Sequence, residues 1–357
     1  MGQIFVFIIT LECGKLILIR SKSYFEEIDD AVILKKLNKL VKETFLLWDE
    51  VWVGFSWRYY FFNHTQRVRA LSLKIGRNED VDLKKLEYAA ILHDVTKRYD
   101  GRILTDSEGR RILDEEGFWH NELLMPKREN LVTTLYRKYN YLHKLHNVTA
   151  AFIAEKILRS YGFPIDFYSS VSSIIKGHLR PDAYSKKSSS NILERRILYE
   201  ADTIDANLGL TAFFRHVNIC THRSLLEDGR VDLQEYVNRI EPWMKTKAFF
   251  IDRMMTETGI RIARERNERM KEVYSNMENE LQNNFIDSLN YGILGIIGYF
   301  IDHNQDPCLQ DEMNYLSSTW ITEREKMLKT ETDPNTKIIF QRAVNFYNLL
   351  SQELEGY

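Results

Sequence analysis

Cysteine is scarce in this chain. Its three copies, Cys13, Cys220 and Cys308, share no metal-type spacing, and the odd number leaves no closed disulfide framework. Reduced thiols are expected, and with them an intracellular, cytoplasmic setting. Proline is scarce too, with 6 in 357 residues, so long stretches run without a helix breaker. Charge of one sign is not in excess. A formal net charge of −2 excludes a globally basic nucleic-acid binder and leaves only a local basic patch open. Long apolar runs are missing as well. The run Ile4 to Leu11 meets Glu12-Cys13-Gly14-Lys15 before Leu16 to Ile19, too early a break for a membrane span. Neither a basic leader nor a small-residue cleavage site accompanies it, so no signal peptide is expected. A short apolar arm or β-hairpin over residues 1–30 fits better. Phe285 to Ile301 is interrupted by Asp287 and Asn290 and reads as a core helix.

What is present is helical periodicity. Apolar residues make up 44% and charged residues 28%, which suits a soluble globular chain long enough for one large or two ordinary domains. Leu34, Leu37, Val41 and Phe45 recur at helical spacing, as do Val68, Leu71 and Ile75. Asp82 is placed to cap a helix running into His93. Val148, Ala151, Phe152 and Leu158 form a stripe ending at Tyr161-Gly162, and Pro164 suits the next helix start. Asn191 is expected to cap a helix carrying Leu198 and Asp202. Between them, residues 98–140 hold the turn signals Asp100-Gly101, Ser107-Glu108-Gly109 and Glu115-Glu116-Gly117, an insertion with room for a small hairpin. Glu257 to Asn284 interleaves arginine and glutamate, the pattern of a solvated helix face more than of a binding stripe. Thr330 to Leu354 reads helical again.

Onto this frame fall His64, the pair His93-Asp94, His146, His178 and Asp202. Four imidazoles and two carboxylates suit one or two divalent metals with an open position for water. Taken singly, each inward histidine is as readily a hydrogen-bonded core residue. Order and local context together say more. The flanks are "NHTQRVRALSLKIG", "LEYAAILHDVTK", "HNVTAAFIAEKILRSYG", "IIKGH" and "EADTIDANLG".

These segments, from about Tyr59 to Phe214, resemble HD-domain metal-dependent phosphohydrolases, whose pattern is a His, a His-Asp pair, often two more His, and a final Asp. The resemblance implies an all-α helical bundle over residues 31–215, with a helical C-terminal extension over 216–357. It implies that His64, His93, Asp94 and Asp202 hold a first metal, with Asp94 also facing a second held by His146 and His178. Adjacent helix residues point about 100° apart, so His93 and Asp94 share an ion only across a groove or a helix end. Mn, Fe, Ni, Co or Mg fit such donors better than a structural zinc. Asp94 and Lys97 are expected to be catalytic. Lys97 also has a phosphate-binding or proton-donating role, its bland alternative being a cation at a helix C-terminus. Arg67 and Arg180 are expected phosphate contacts, and Asp205 orients a ligand or Lys97.

The motif after Asp202 resembles the nucleotide-pyrophosphohydrolase branch. Keeping both His146 and His178 is closer to two-metal branches such as diadenosine-tetraphosphate hydrolases and cyclic-nucleotide phosphodiesterases. The expected substrate is a small phosphorylated molecule, a nucleotide first, with nucleic acid less favoured and a homo-oligomer left open. HD-type di-iron oxygenases and non-catalytic scaffolds are the rival readings. His143 competes with His146, and His120 sits where a lid element would. Trp57 to Phe62 reads as core packing before base stacking.

Overall fold

A computed structural model describes residues 6–12, 15–21, 29–53, 56–113, 115, 119–141, 144–182, 191–304 and 307–356. The chain divides into two units, residues 1–36 and 37–357. In the first, β1 (Val6–Glu12) and β2 (Lys15–Ser21) form an antiparallel pair in the register Val6↔Ser21 to Glu12↔Lys15. The expected hairpin is therefore present, while Cys13 and Gly14 lie outside the described residues. The unit ends within α1 (Asp30–Phe45).

The second unit is helical. A two-residue ladder of β3 (Trp52–Val53) and β4 (Ser56–Trp57) precedes α2 (Arg58–Gly76) and α3 (Leu83–Leu92). The Asp82 carboxylate accepts from the Lys85 amide, the expected cap. Next, β5 (Asp100–Ile103) pairs with β6 (Asn121–Leu123), with isolated bridges Thr105↔Arg111 and Leu113↔Trp119 beyond them. These strands fall within residues 98–140. Then come α4 (Leu131–Tyr139), α5 (His146–Ser160), α6 (Ile165–Gly177) and α7 (Ile192–Asn207). Helices α2, α3, α5, α6 and α7 pack on one another around wholly buried Val68, Leu71, Ile91, Ile153, Ile174 and Leu198. Asn191 differs from expectation. It takes a left-handed φ of 61° and its side chain makes no capping bond.

The C-terminal half adds α8 (Leu210–Glu227), α9 (Leu233–Asn238), α10 (Ile240–Ala248), α11 (Glu257–Asn283) and α12 (Phe285–Tyr291). After these follow α13 (Ile293–Asp302), α14 (Leu309–Leu316), α15 (Thr322–Thr330) and α16 (Pro334–Leu354). One apolar cluster joins Phe213, Phe214, Met277, Ile297, Phe300 and Phe346 across α8, α11, α13 and α16. The expected single helix over Phe285 to Ile301 is broken at Gly292, whose extended backbone ends α12 and starts α13. Only α13 is core; Ile286 on α12 is 71% exposed. Helix α11 has the expected solvated face and a buried one. Arg261–Glu265 and Glu268–Lys271 pair on its outer face, while Arg266, Met270 and Met277 are buried. Among the described residues no helix is long and apolar enough to cross a membrane.

Candidate metal centre

Three of the four histidines stand at helix ends. His93 closes α3 and His178 closes α6, where the last carbonyls lack partners within the helix. Each ring uses one: His93 Nδ1 lies 2.7 Å from the Ala90 carbonyl oxygen, and His178 Nδ1 lies 2.7 Å from that of Ile175. A carbonyl only accepts, so both Nδ1 atoms carry the hydrogen and a neutral ring keeps its lone pair on Nε2. His146 opens α5, and its Nδ1 is 2.6 Å from Asp100 Oδ2. His64, midway along α2, sets Nδ1 2.6 Å from Asp205 Oδ2. All four rings are thus tied at Nδ1 and point Nε2 at a common centre.

Asp94 occupies that centre. Its Oδ2 is 3.9 Å from His64 Nε2 and 3.7 Å from His93 Nε2, while its Oδ1 is 3.3 Å from His146 Nε2 and 3.8 Å from His178 Nε2. The donor atoms form two groups, His64 with His93 and Asp94, and Asp94 with His146 and His178, each within 4.8 Å. Asp202 Oδ1 joins the first side, 3.0 Å from His64 Nε2. His93 lies at its helix end and Asp94 in the turn beyond, so the two adjacent side chains face one space despite the helical angle.

The donor chemistry fits divalent ions. His93 Nε2 and His178 Nε2 are buried and have no hydrogen-bond partner. A buried acceptor without a donor costs about 1–3 kcal/mol, which coordination would offset. Burial, then the neighbouring His93 and His146, push His178 down to about 3, so it is neutral at any working pH. Burial alone would raise Asp94, yet His93, His146, Lys97 and His64 hold it well below the usual carboxylate range. For His64 burial lowers the imidazole, but hydrogen bonds to Asp202 and Asp205 outweigh it and lift it to about 9 without an ion.

The profile of the HD domain matches residues 61–207. This segment is an HD domain. Among solved structures, a predicted HD superfamily hydrolase from an uncultured Thermotogales bacterium is 20% identical, with a TM-score of 0.39, over 70% of this chain and 92% of its own. YpgQ of Bacillus subtilis, solved in complex with ADP, is 18% identical with a TM-score of 0.37, over 71% of this chain and 97% of its own. No curated protein matches the chain.

Around the HD donors lies a cavity of about 170 Å³, lined by Tyr60, Phe61, His64, Asp94, Lys97, His146, Leu179, Asp202, Ala206 and Arg215. Lys97 lines it, with Nζ 3.2 Å from His146 Nε2. Arg67 does not. It is 3% exposed, and its guanidinium donates from Nε and Nη2 to Asp205 at 2.7 and 2.9 Å, which corrects its expected place against phosphate. Asp205 is wholly buried behind His64, where it holds that ring and Arg67, and it is outside the cavity lining. Arg180 is exposed and outside the cavity lining.

Two residues escaped the sequence reading. Asp100 looked like a turn marker in Asp-Gly, and its partner lies 46 positions away. Arg215 falls one residue beyond the segment that carried the resemblance. The aromatic run divides: Tyr60 and Phe61 are buried yet wall the cavity, while Trp57 is core and meets Trp52 edge to face. Of the other histidines, His216 stacks on Trp243 and His303 on Tyr299, His120 lies outside the cavity lining, and His143 falls outside the described residues.

Proposed function

We propose that this protein is a metal-dependent phosphohydrolase, cleaving a phosphoester or phosphoanhydride, foremost of a nucleotide, with water as the acceptor. The observation that carries this reading is Asp94, with each carboxylate oxygen facing a separate histidine pair whose Nε2 atoms turn toward it. His64, His93, Asp94 and Asp202 would hold one divalent ion, and Asp94, His146 and His178 a second. Such an ion lowers the pKa of its water toward about 7 and neutralises phosphoryl oxygens. Histidine and carboxylate donors without thiolate suit Mn, Fe, Ni, Co or Mg.

The chain's own groups do the remaining work. Asp205 and Asp100 fix two rings in one tautomer and orientation, the usual task of a carboxylate behind a ligating histidine. Lys97 places an ammonium in the cavity, where it binds the phosphoryl group or gives a proton to the departing oxygen. In hydrolysis the water oxygen bonds to phosphorus, the bond to the leaving oxygen breaks, and that oxygen takes a proton. The cavity cations favour this anionic substrate over the oxygen chemistry of di-iron relatives. In this reading residues 31–215 are the catalytic part and 216–357 a helical extension, in a cytoplasmic protein.

The test is a metal-reconstituted screen of the purified protein against nucleoside phosphates, dinucleoside polyphosphates, cyclic nucleotides and single-stranded nucleic acid. Release of phosphate or nucleotide that Asp94→Ala abolishes is expected. Oxygen uptake with no phosphorus product would replace the reading with the oxygenase. Activity equal in wild type and Asp94→Ala would end it.

A further inference from the structure

The HD match ends at Asn207, and helix α8 then returns one more cation, Arg215, to the cavity that Asp94, Lys97 and Asp202 line. Its guanidinium carbon sits 5.8 Å from the centre of the Phe61 ring, and Nη1 donates to the Ala206 carbonyl at 3.3 Å. That uses one of five N–H donors. Among the described residues no carboxylate lies within ion-pair distance of it. Arg215 is half-buried, and two fully buried arginines of the second unit are by contrast committed to structure. Arg67 is given to Asp205, and Arg98 donates to the carbonyls of Phe45 and Glu50. Arg215 instead opens on the cavity.

The two cations stand apart in their surroundings. Lys97 lies against the histidine cluster, its Nζ 3.2 Å from His146 Nε2. Arg215 lies against Phe61 and Ala206. Beyond it Lys247 donates to Asn207 Oδ1 at 2.7 Å, and burial first, then Arg215, press the Lys247 ammonium below the usual lysine range. Arg215 and Lys247 thus stand close enough to repel each other. A single phosphoryl group seated at the histidine cluster leaves the fork of Arg215 unused, and such a fork matches a second phosphate in bidentate geometry. The volume agrees. At about 170 Å³ the cavity is smaller than the roughly 300–1,000 Å³ that encloses a drug-sized ligand, so it accommodates a charged head and leaves the rest outside.

We propose that Arg215 clamps a second phosphate, so that the substrates are phosphoanhydrides carrying at least two linked phosphates rather than simple monoesters. This rests on the phosphohydrolase reading above. The probes are methylenediphosphonate and methylphosphonate, which share a phosphonate and resist hydrolysis. Each is titrated calorimetrically, at one saturating manganese concentration, into wild type, Arg215→Gln and Arg215→Lys. Wild type is expected to favour the diphosphonate by at least about 10-fold. Arg215→Gln should lose about 10- to 100-fold of diphosphonate affinity while methylphosphonate changes less than about twofold, and Arg215→Lys should retain part of the preference. Circular dichroism checks the fold, and Arg215→Lys carries the test if Arg215→Gln fails to fold. Equal affinity of wild type for both probes, or equal losses on both, overturns the proposal. Diphosphonate selectivity in a protein that hydrolyses no phosphate compound would sink the phosphohydrolase reading and leave the clamp standing. Hydrolysis with probe binding indifferent to Arg215 would do the reverse.

Discussion

At the scale of single residues the centre is a problem of holding rings still. Each histidine has one nitrogen fixed to an oxygen that only accepts, and the other is turned toward Asp94. The two carbonyl ties come free with the helix ends, whereas the two carboxylate ties are single side chains open to substitution. Asp100→Asn should therefore weaken manganese binding by about 10- to 100-fold in chelator competition, with little change in thermal stability. Unchanged affinity would show that His146 needs no such partner. His64 gives a second prediction. Raised to about 9 in the ion-free protein, it is protonated at neutral pH, and an ion displaces that proton. Affinity should thus rise with pH from 6 up to about 9, and calorimetry in buffers of different ionisation enthalpy should register proton release at pH 7. No buffer dependence would contradict it. The donors themselves were legible because each carries its own flanks in the chain. Asp100, Arg67 and Arg215 were not, since what decides their roles is a partner or a cavity supplied by a distant segment.

Between elements, three buried glutamates recur in one role. Glu200 of α7 accepts from the amides of Met255 and Thr256 ahead of α11. Glu280 of α11 accepts from Ile293 and Leu294 at the start of α13, and Glu353 of α16 from Leu210 and Thr211 at the start of α8. Each satisfies orphan amides at a helix N-terminus, where a negative charge is also favoured by the helix dipole. A glycine meets each carboxylate: a Cβ on Gly259, Gly292 or Gly209 would lie within 2.3–2.7 Å of a glutamate oxygen. Gly209 also has φ of +89°, so Gly209→Ala should cost more than about 1 kcal/mol in urea unfolding. Burial, against the two amide bonds, lifts Glu280 to about 7 from 4.5. The folded state then keeps a proton that the unfolded chain releases, so this group's contribution falls as pH rises from 4.5 through 7. The loss approaches about 3 kcal/mol above that window. Glu280→Gln should flatten the slope of unfolding free energy between pH 5 and 8, and an unaltered slope would show that the carboxyl titrates normally. None of these caps was legible. A glutamate in a charged run such as α11 reads as solvated, and only the packing of another helix end against it reveals otherwise. The same packing divides Phe285 to Ile301 at Gly292, where the sequence reads as continuous.

Over the whole second unit, the HD segment and the C-terminal helices share a cavity wall. Arg215 hangs on α8, whose first turn is held by Glu353 of the last helix, with Arg266 of α11 donating to the Glu353 carbonyl and lying 3.8 Å from its carboxylate. Glu353→Ala would leave the buried Leu210 and Thr211 amides without their acceptor and should destabilise the protein by about 1–3 kcal/mol, read by urea unfolding. A loss below about 1 kcal/mol would mean that α16 does not anchor α8. The helical class and the clustering of the candidate metal donors could be read along the chain, because periodicity and local motifs are local properties. The joint between the two halves could not, because it is made by contacts more than 80 positions apart.

All of this depends on whether the six side chains of the centre take up cations together. Anomalous diffraction from crystals equilibrated with manganese tests that most directly. Peaks are expected on the two sides of Asp94, ligated by His64, His93 and Asp202 on one and by His146 and His178 on the other. Density with no peak beside Asp94, or manganese bound only at other residues, would contradict the account.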